Sequence, residues 1–483
     1  MSILKAKALS AVSWDFFGKL ARNLTGFIVT IFLARLLEPS DFGLIAMIMV
    51  IIGIAFIFSD VGLGSALIQR RRLLPIHYNS VFYFNIFIGM TLTVLTFFSA
   101  TAISQFYDNE KLVLITQVMS ILFLINAFSS TQNSKLRREL NYAALAKANV
   151  SASVLSGIVG IVLAFNDAGV WSLVAQALSR GIFYNVSVWY ASQWVPSMSF
   201  SLKALKQLWG FGFRMFLSGL LEVVFTQLDV LIIGKLFSPA MLGFYDQAKR
   251  LNAMIIQYSS GSIMAVLFPV LSKVQTDLSR FQNIVIKTLG LISFIVFLLL
   301  GVMYLISEEL IVLMFTEKWL PSVDYFKILV LSGFAYPVSA LLVNILSSRG
   351  NSKAFLRLEI YKKILQSINF YVGFLWGIEG FLYGLVVVSI FGLSLNILFA
   401  SKEIKLSFLT FTKPILIQMI ISIMTVLLVM LIVGGIEMHN ILLIIIKSSI
   451  FVIIYFGLNI LFRTSSYTFV LEQALPVIKR KLK

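Results

Sequence analysis

The sequence predicts an all-α integral membrane protein of about fourteen transmembrane helices: two six-helix bundles followed by two additional helices. Three observations predict it. Of 483 residues, 59% are hydrophobic and 12% charged, with a mean hydropathy of +0.94, where a soluble domain carries roughly 25% charged residues. The apolar residues form continuous runs of about 20, enough for a helix to cross the hydrocarbon core, without the alternation of barrel strands. A short stretch also occurs twice. Ala34-Arg35-Leu36-Leu37-Glu38-Pro39-Ser40-Asp41-Phe42-Gly43-Leu44 returns as Gly234-Lys235-Leu236-Phe237-Ser238-Pro239-Ala240-Met241-Leu242-Gly243-Phe244, with the basic residue, the Leu, the Pro and the Gly in register.

The apolar segments fall near 12–36, 42–67, 79–104, 111–133, 143–165, 169–192, 207–233, 240–267, 284–306, 324–347, 355–376, 379–400, 409–433 and 441–462. The connections are short and leave no room for a sizeable soluble domain. Their charges alternate. One set carries Lys5 and Lys7; Arg70, Arg71 and Arg72; Lys135, Arg137, Arg138 and Lys147; Lys203 and Lys206; Lys273 and Arg280; Arg349, Lys353 and Arg357; Lys402, Lys405 and Lys413; then Arg463 and the basic C-terminus. The other carries Glu38, Asp41, Asp108, Glu110, Asp167, Glu308, Glu309, Glu317, Asp324, Glu379 and Glu437. Lys and Arg favour the cytoplasmic side, so both termini are expected there. The formal charge of +18 then reads as anchoring against anionic lipid, not as a nucleic-acid surface.

Spans 1–2 match spans 7–8, so both halves share one orientation, and a pseudo-two-fold axis is expected along the membrane normal. The expected organisation is a first six-helix bundle over 1–200, a second over 201–405, two added helices over 406–465 and a cytoplasmic basic tail over 466–483. Pro39 and Pro239, each followed by a Gly, end one helix and turn the chain into the next. A duplicated half in a membrane chain is a recurring plan of secondary transporters.

Several chemistries are excluded or disfavoured. There is no cysteine, and His77 and His439 lie far apart in loops with no metal-ligand spacing around them. No phosphate-binding GxxxxGK[ST] loop is present. No catalytic residues, cofactor or metal are expected. The apolar run after Lys5 and Lys7 is too long for a signal peptide and reads as the first span.

A charge inside a span costs several kcal/mol unless it meets a partner or a wet cavity. On span 1, Asp15, Gly18, Lys19, Arg22 and Gly26 share one helical face, and on span 7 Arg214, Ser218, Glu222, Thr226 and Asp229 do the same. A shift of two hundred sets Arg22 against Glu222. Both faces are expected to line one central cavity, joined by Asp60 on span 2, Arg180 on span 6 and Asp246, Lys249 and Arg250 on span 8. Competing readings stand beside this one. Asp15, Lys19, Lys362 and Lys363 lie near helix ends and could snorkel, Asp246 and Arg250 could neutralise each other at i, i+4, and Arg180 could be a structural tie. Cations outnumber acids in the set, which suits an anionic ligand such as a pyrophosphate.

Phe58-Ser59-Asp60-Val61-Gly62-Leu63-Gly64-Ser65-Ala66-Leu67-Ile68-Gln69-Arg70 resembles the signature that closes span 2 in Wzx-type polysaccharide flippases. The segments Gly169-Val170-Trp171-Ser172-Leu173-Val174, Tyr245-Asp246-Gln247-Ala248-Lys249-Arg250-Leu251, Phe268-Pro269-Val270-Leu271-Ser272-Lys273 and Glu317-Lys318-Trp319 agree with it. The chain is thus similar to the polysaccharide branch of the multidrug/oligosaccharidyl-lipid/polysaccharide exporter superfamily, over most of spans 1–10. The resemblance implies a MATE-like fold, alternating access and a non-enzymatic flippase. Its substrate would be an undecaprenyl-pyrophosphate-linked oligosaccharide of exopolysaccharide, capsule or O-antigen synthesis, in the bacterial cytoplasmic membrane. A polysaccharide polymerase and glycosyltransferases are candidate partners. Arg22, Arg214, Lys249, Arg250, Lys19 and Arg180 become candidate substrate contacts, and Asp60, Glu222, Asp15, Asp229 and Asp246 candidate coupling or ion-pair groups. A lipid II flippase and a drug/ion antiporter of the same fold are the alternatives; the cation excess disfavours the antiporter.

Overall fold

The structure, a computed structural model, describes residues 2–436 and 438–469. The described residues are helices joined by short turns, in two compact units, Met1–Gly243 and Phe244–Lys483. The first contains α1 (Ser2–Leu36), α2 (Pro39–Asp60), α3 (Leu63–Gln69), α4 (Pro75–Tyr107), α5 (Leu112–Met119), α6 (Ile121–Arg138), α7 (Tyr142–Phe165), α8 (Val170–Ser192) and α9 (Leu202–Leu236). Helix α10 (Pro239–Lys273) runs from it into the second, which holds α11 (Leu278–Leu305), α12 (Ser307–Phe315), α13 (Pro321–Gly333), α14 (Ala335–Ser348), α15 (Ser352–Ile404), α16 (Phe408–Val433) and α17 (Asn440–Leu461).

Ten helical stretches among the described residues are long and apolar enough to cross a membrane. One of them is double. Helix α15 has 53 residues, about 80 Å at 1.5 Å per residue, far more than the roughly 30 Å core. It folds back at Trp376 (φ −117°, ψ 16°) and Gly377 (φ 74°, ψ −168°), the latter a conformation reserved for glycine. Across the bend Asn369 Nδ2 donates to the Phe381 carbonyl at 3.1 Å and Phe370 stacks on Phe381 at 5.9 Å. Helices α8, α9 and α10, of 23, 35 and 35 residues, have the length but carry more polar side chains.

Several features differ from the sequence expectation. His77, expected in a loop, is buried in the first turn of α4. The segment expected over 42–67 breaks at Val61 and Gly62, both left-handed (φ 44° and 72°), so α3 is a separate short helix. A Cβ on Gly62 would stand 2.1 Å from the Gly212 carbonyl oxygen of α9, so the break lets two backbones touch. Glu308 and Glu309, expected in a connection, begin α12.

Small residues organise the first unit. Helix α7 buries Ala146, Ala148, Ala152, Ser153, Ser156, Gly157, Gly160 and Ala164, and lipid gives helices no hydrophobic drive to associate, so close backbone approach must supply it. Helix α1 exploits this surface: a Cβ on Gly18 would lie 2.4 Å from the Ala146 Cβ, and one on Gly157 2.3 Å from a Val29 methyl. On its other side α7 meets α8, with Gly160 against Gln176. Asn141 caps α7, accepting from the Ala144 N–H at 3.2 Å.

At the end of the unit bearing the basic connections, side chains tie the loops down. Arg138 donates to the carbonyls of Leu67 and Arg70 at 2.6 Å and of Arg71 at 3.1 Å, closing the C-terminus of α3. Arg70 reaches the Gln207 side chain of α9 at 2.6 Å, and His77 Nε2 lies 3.1 Å from the same oxygen. At the opposite, acidic end the contact is backbone on backbone. A Cβ on Gly43 would stand 1.7 Å from the Pro239 carbonyl oxygen, and one on Gly243 2.0 Å from the Pro39 carbonyl oxygen. The two copies of the repeated corner therefore meet each other reciprocally, within Met1–Gly243. Lys235 pairs with Asp108 beside them at 2.7 Å.

In the second unit α16 and α17 are joined to α11 by a buried polar network. The Tyr455 hydroxyl lies 2.6 Å from Gln418 Oε1 and 3.0 Å from the Phe294 carbonyl. Gln418 Nε2 donates to Asn459 Oδ1 at 2.8 Å, Thr464 donates to the same oxygen at 2.6 Å, and Asn459 Nδ2 donates to the Tyr455 carbonyl at 2.9 Å. Lys447 of α17 pairs with Glu309 of α12. Between α10 and α11, Asp277 accepts from the Arg280 N–H at 3.0 Å, and that hydrogen bond holds its carboxyl below the usual carboxylate range.

Candidate functional site: a cation-lined cavity in the first unit

The polar face of α1 opens onto a cavity of about 210 Å³ walled by four helices of the first unit. Helix α1 supplies Trp14, Asp15, Gly18, Lys19 and Arg22; α6 supplies Asn133 and Arg137; α7 supplies Tyr142, Leu145, Ala146 and Asn149; α8 supplies Tyr184. Each wall follows from helical spacing. Residues 15, 18, 19 and 22 share a face, 133 and 137 are one turn apart, and 142, 146 and 149 follow the i, i+4, i+7 pattern. The Gly18–Ala146 contact sets how near α1 stands to α7 and therefore how wide the cavity is.

Its electrostatics are lopsided. Three cations, Lys19, Arg22 and Arg137, face one carboxylate, Asp15. Asp15 is engaged with Lys19 at 2.5 Å, an i, i+4 pair whose side chains are 57% and 37% exposed for Lys19 and Asp15. The arginines hold neutral amides only loosely: Arg22 Nε and Nη2 donate to Asn23 Oδ1 at 3.4 Å, and Arg137 Nε donates to Asn133 Oδ1 at 3.2 Å. Arg180 lies one turn before Tyr184 on α8, and its guanidinium and that of Arg22 act on each other as like charges. A site of this kind suits an anion, because planar guanidinium groups can give phosphate oxygens paired hydrogen bonds. Its volume is below the roughly 300 Å³ of a drug-sized pocket, which suits a compact charged head and not a whole oligosaccharide.

Of the residues singled out by sequence, Asp15, Lys19 and Arg22 line the cavity and Arg180 lies near it. Asp229 is on α9. Asp246, Lys249 and Arg250 are on α10 in the second unit, where Arg250 Nε meets Asp246 Oδ2 at 2.7 Å and Lys249 lies over the Tyr245 ring at 5.9 Å. The side chains of Asp60, Arg214 and Glu222 lie outside the described residues. Sequence reasoning missed Asn133, Arg137, Tyr142, Asn149 and Tyr184. The Asn133/Arg137 and Arg180/Tyr184 spacings carried a signal, but Arg137 sat in a run that read as lipid anchoring. That run is divided in the structure: Lys135 donates to the Ser192 carbonyl at 2.9 Å, Arg138 closes α3, and only Arg137 reaches the cavity.

Apolar spanning helices around a cationic cavity define a multi-pass membrane protein, and its fold is MATE-like: it matches a multidrug resistance MATE family transporter in an inward-facing conformation with a TM-score of 0.61 at 16% identity, covering 80% of this chain and 96% of that one. The fold matches that of the lipid II flippase MurJ in an inward closed conformation, with a TM-score of 0.74 at 14% identity, covering 93% of this chain and 98% of that one. Residues 32–324 match the sequence model of the polysaccharide biosynthesis protein family (Polysacc_synt_3), and the chain belongs to that family. It is 25% identical over 409 residues to an uncharacterized membrane protein in the cps region of Klebsiella pneumoniae, covering 83% of this chain and 84% of that protein. It is 23% identical over 370 residues to the lipopolysaccharide biosynthesis protein WzxC of Escherichia coli (strain K12), covering 75% and 74%.

Proposed function

We propose that the chain is a flippase that carries undecaprenyl-pyrophosphate-linked oligosaccharide repeat units across the bacterial cytoplasmic membrane, for exopolysaccharide, capsule or O-antigen synthesis. The observation that carries this reading is the excess of cations in a half-open cavity walled by membrane-crossing helices, where charge is costly unless it meets a partner, water or a ligand. Family membership supports the polysaccharide branch. Arg22 and Arg137, on facing helices, hold the pyrophosphate, with Lys19 and Arg180 adding to the field. The cavity lies toward the basic-loop end, which the charge bias of the connections assigns to the cytoplasm; the head group is loaded there. The prenyl chain stays in lipid, and α8, α9 and α10 also span, making fourteen crossings with both termini cytoplasmic. Alternating access between bundles 1–200 and 201–405 moves the head group outward, from the glycosyltransferases that make the unit on the cytoplasmic side to the polymerase that uses it outside.

The test is deletion of the gene, followed by complementation with Arg22→Ala and Arg137→Ala chains. Accumulated lipid-linked saccharide and lost surface polymer are expected in the deletion and in both variants at normal membrane levels. Full polymer in the deletion removes the reading.

A further inference from the structure

We infer that the connection between α8 and α9, with the turn between α3 and α4, forms a binding surface for anionic phospholipid of the cytoplasmic leaflet. Residues 193–201 run without helix between α8 and α9, and their serines are stitched to the start of α4. Asn79 Nδ2 donates to the Ser197 hydroxyl at 2.5 Å and to the Ser199 hydroxyl at 2.7 Å. The Ser197 N–H donates to Asn79 Oδ1 at 3.2 Å and the Ser201 N–H to Ser80 Oγ at 2.9 Å. Fixing every second residue this way turns those between them outward, as a two-residue alternation dictates. Met198 is fully exposed, Phe200 51% and Leu202 72%.

Four cations flank these apolar side chains. Arg71 and Arg72 in the α3–α4 turn, and Lys203 and Lys206 at the start of α9, are exposed, and their side chains hold no hydrogen bond or ion pair among the described residues. Arg70 fastens the two segments together, donating to the Gln207 side chain at 2.6 Å and to its carbonyl at 3.1 Å. Residues 61–107 and 168–221 contain no Asp or Glu, and Glu139, at the same end, is paired with Lys135 at 3.0 Å. The level of this surface favours lipid over a soluble partner. Trp189, Trp194 and Trp209, three of the seven tryptophans, stand around it. Trp194 lies 6.0 Å from Tyr78 and 5.9 Å from Phe82, Trp189 5.9 Å from Phe82, and Trp209 6.1 Å from Phe84. Tryptophan and tyrosine collect at the headgroup layer. The helix between Leu202 and the apolar run that starts near 207 is about 8 Å long, close to the depth of that layer, about 5–8 Å on each side. Apolar side chains then reach the acyl boundary while Lys and Arg meet phosphate. The surface goes beyond the transport reading, and its readout does not depend on what is transported.

The chain has no cysteine, so Met198→Cys takes a single polarity-sensitive fluorophore, and Ile420→Cys, on α16 and 52% exposed, serves as a mid-span reference. The full chain is reconstituted in phosphatidylcholine vesicles containing brominated phosphatidylglycerol or, at equal fraction, brominated phosphatidylcholine. At Met198→Cys the fluorophore is expected to emit as in an apolar medium. Brominated phosphatidylglycerol is expected to quench it at a concentration at least about fivefold lower than brominated phosphatidylcholine, the effect of one cation at an anionic surface. At Ile420→Cys the two lipids are expected to quench alike. Adding Arg71→Gln, Arg72→Gln, Lys203→Gln and Lys206→Gln to Met198→Cys is expected to abolish the preference with melting unchanged, since those four side chains hold nothing in the fold. Equal quenching by both lipids at Met198→Cys overturns the site. A preference that survives the four substitutions, or one of the same size at Ile420→Cys, overturns it too. So does water-like emission quenched by aqueous iodide, the result for a surface that meets a soluble partner.

Discussion

Two polar clusters in this molecule, one buried and one open to a cavity, look alike in sequence and are opposite in chemistry. In the second unit, Gln418, Tyr455, Asn459 and Thr464 spend their hydrogen-bonding capacity on one another and on the Phe294 carbonyl. In the first unit, Arg22 and Arg137 face a cavity and, among the described residues, donate to side-chain amides at 3.2–3.4 Å. The first arrangement is complete and welds α16 and α17 to α11. The second leaves charged donors directed at open space, which is the condition for binding. Polarity within a membrane helix therefore says little by itself; what the polar atoms already hold decides between structure and function.

The comparison can be broken most sharply at the arginines. Arg22→Ala and Arg137→Ala should each lower transport by tenfold to a hundredfold, the value of a charge-assisted hydrogen bond of about 1.5–3 kcal/mol, with thermal melting of the purified protein little changed. Loss of melting stability equal to the loss of transport would make the cavity structural. Asn459→Leu should do the reverse. It strands Gln418 and Thr464 and should destabilise the second unit by about 1–3 kcal/mol, read as a lower melting temperature, while transport persists at permissive temperature. Gly18→Leu tests the cavity's width: the new side chain overlaps Ala146, and overpacking of this kind costs about 1–3 kcal/mol. Ala146→Gly in the same chain should recover part of the loss in a double-mutant cycle. Lys19→Met should matter least, because an exposed i, i+4 pair contributes under about 1 kcal/mol; a larger fall in head-group binding would move Lys19 from the rim into the site.

The polar face of α1 was legible because helical spacing alone collects Asp15, Gly18, Lys19 and Arg22. The turn between the two arms of α15 was legible too, since Glu379 interrupts a run too long for one crossing. The other three walls of the cavity were not legible. Arg137 and Arg138 are neighbours in sequence, yet a rotation of about 100° per residue sends one into the cavity and the other onto the carbonyls of α3. Gln418 and Asn459 are single polar residues in apolar runs, 41 positions apart, and only packing shows that they are partners. The break at Val61–Gly62 was hidden because its residues are as apolar as the helix they interrupt.

The crossing of the corners has one more consequence. A contact in which Pro39 meets Gly243 while Pro239 meets Gly43 is isologous, the form taken by the interface of a symmetric dimer. A half-length chain carrying one such proline and one such glycine needs only a second copy of itself to make both contacts. A duplication would write both copies into one gene and free each to differ, and Glu38 and Asp41 do stand opposite Ser238 and Met241. What cannot diverge alone is the pair of glycines, since a side chain on either one disturbs the surface that both copies share.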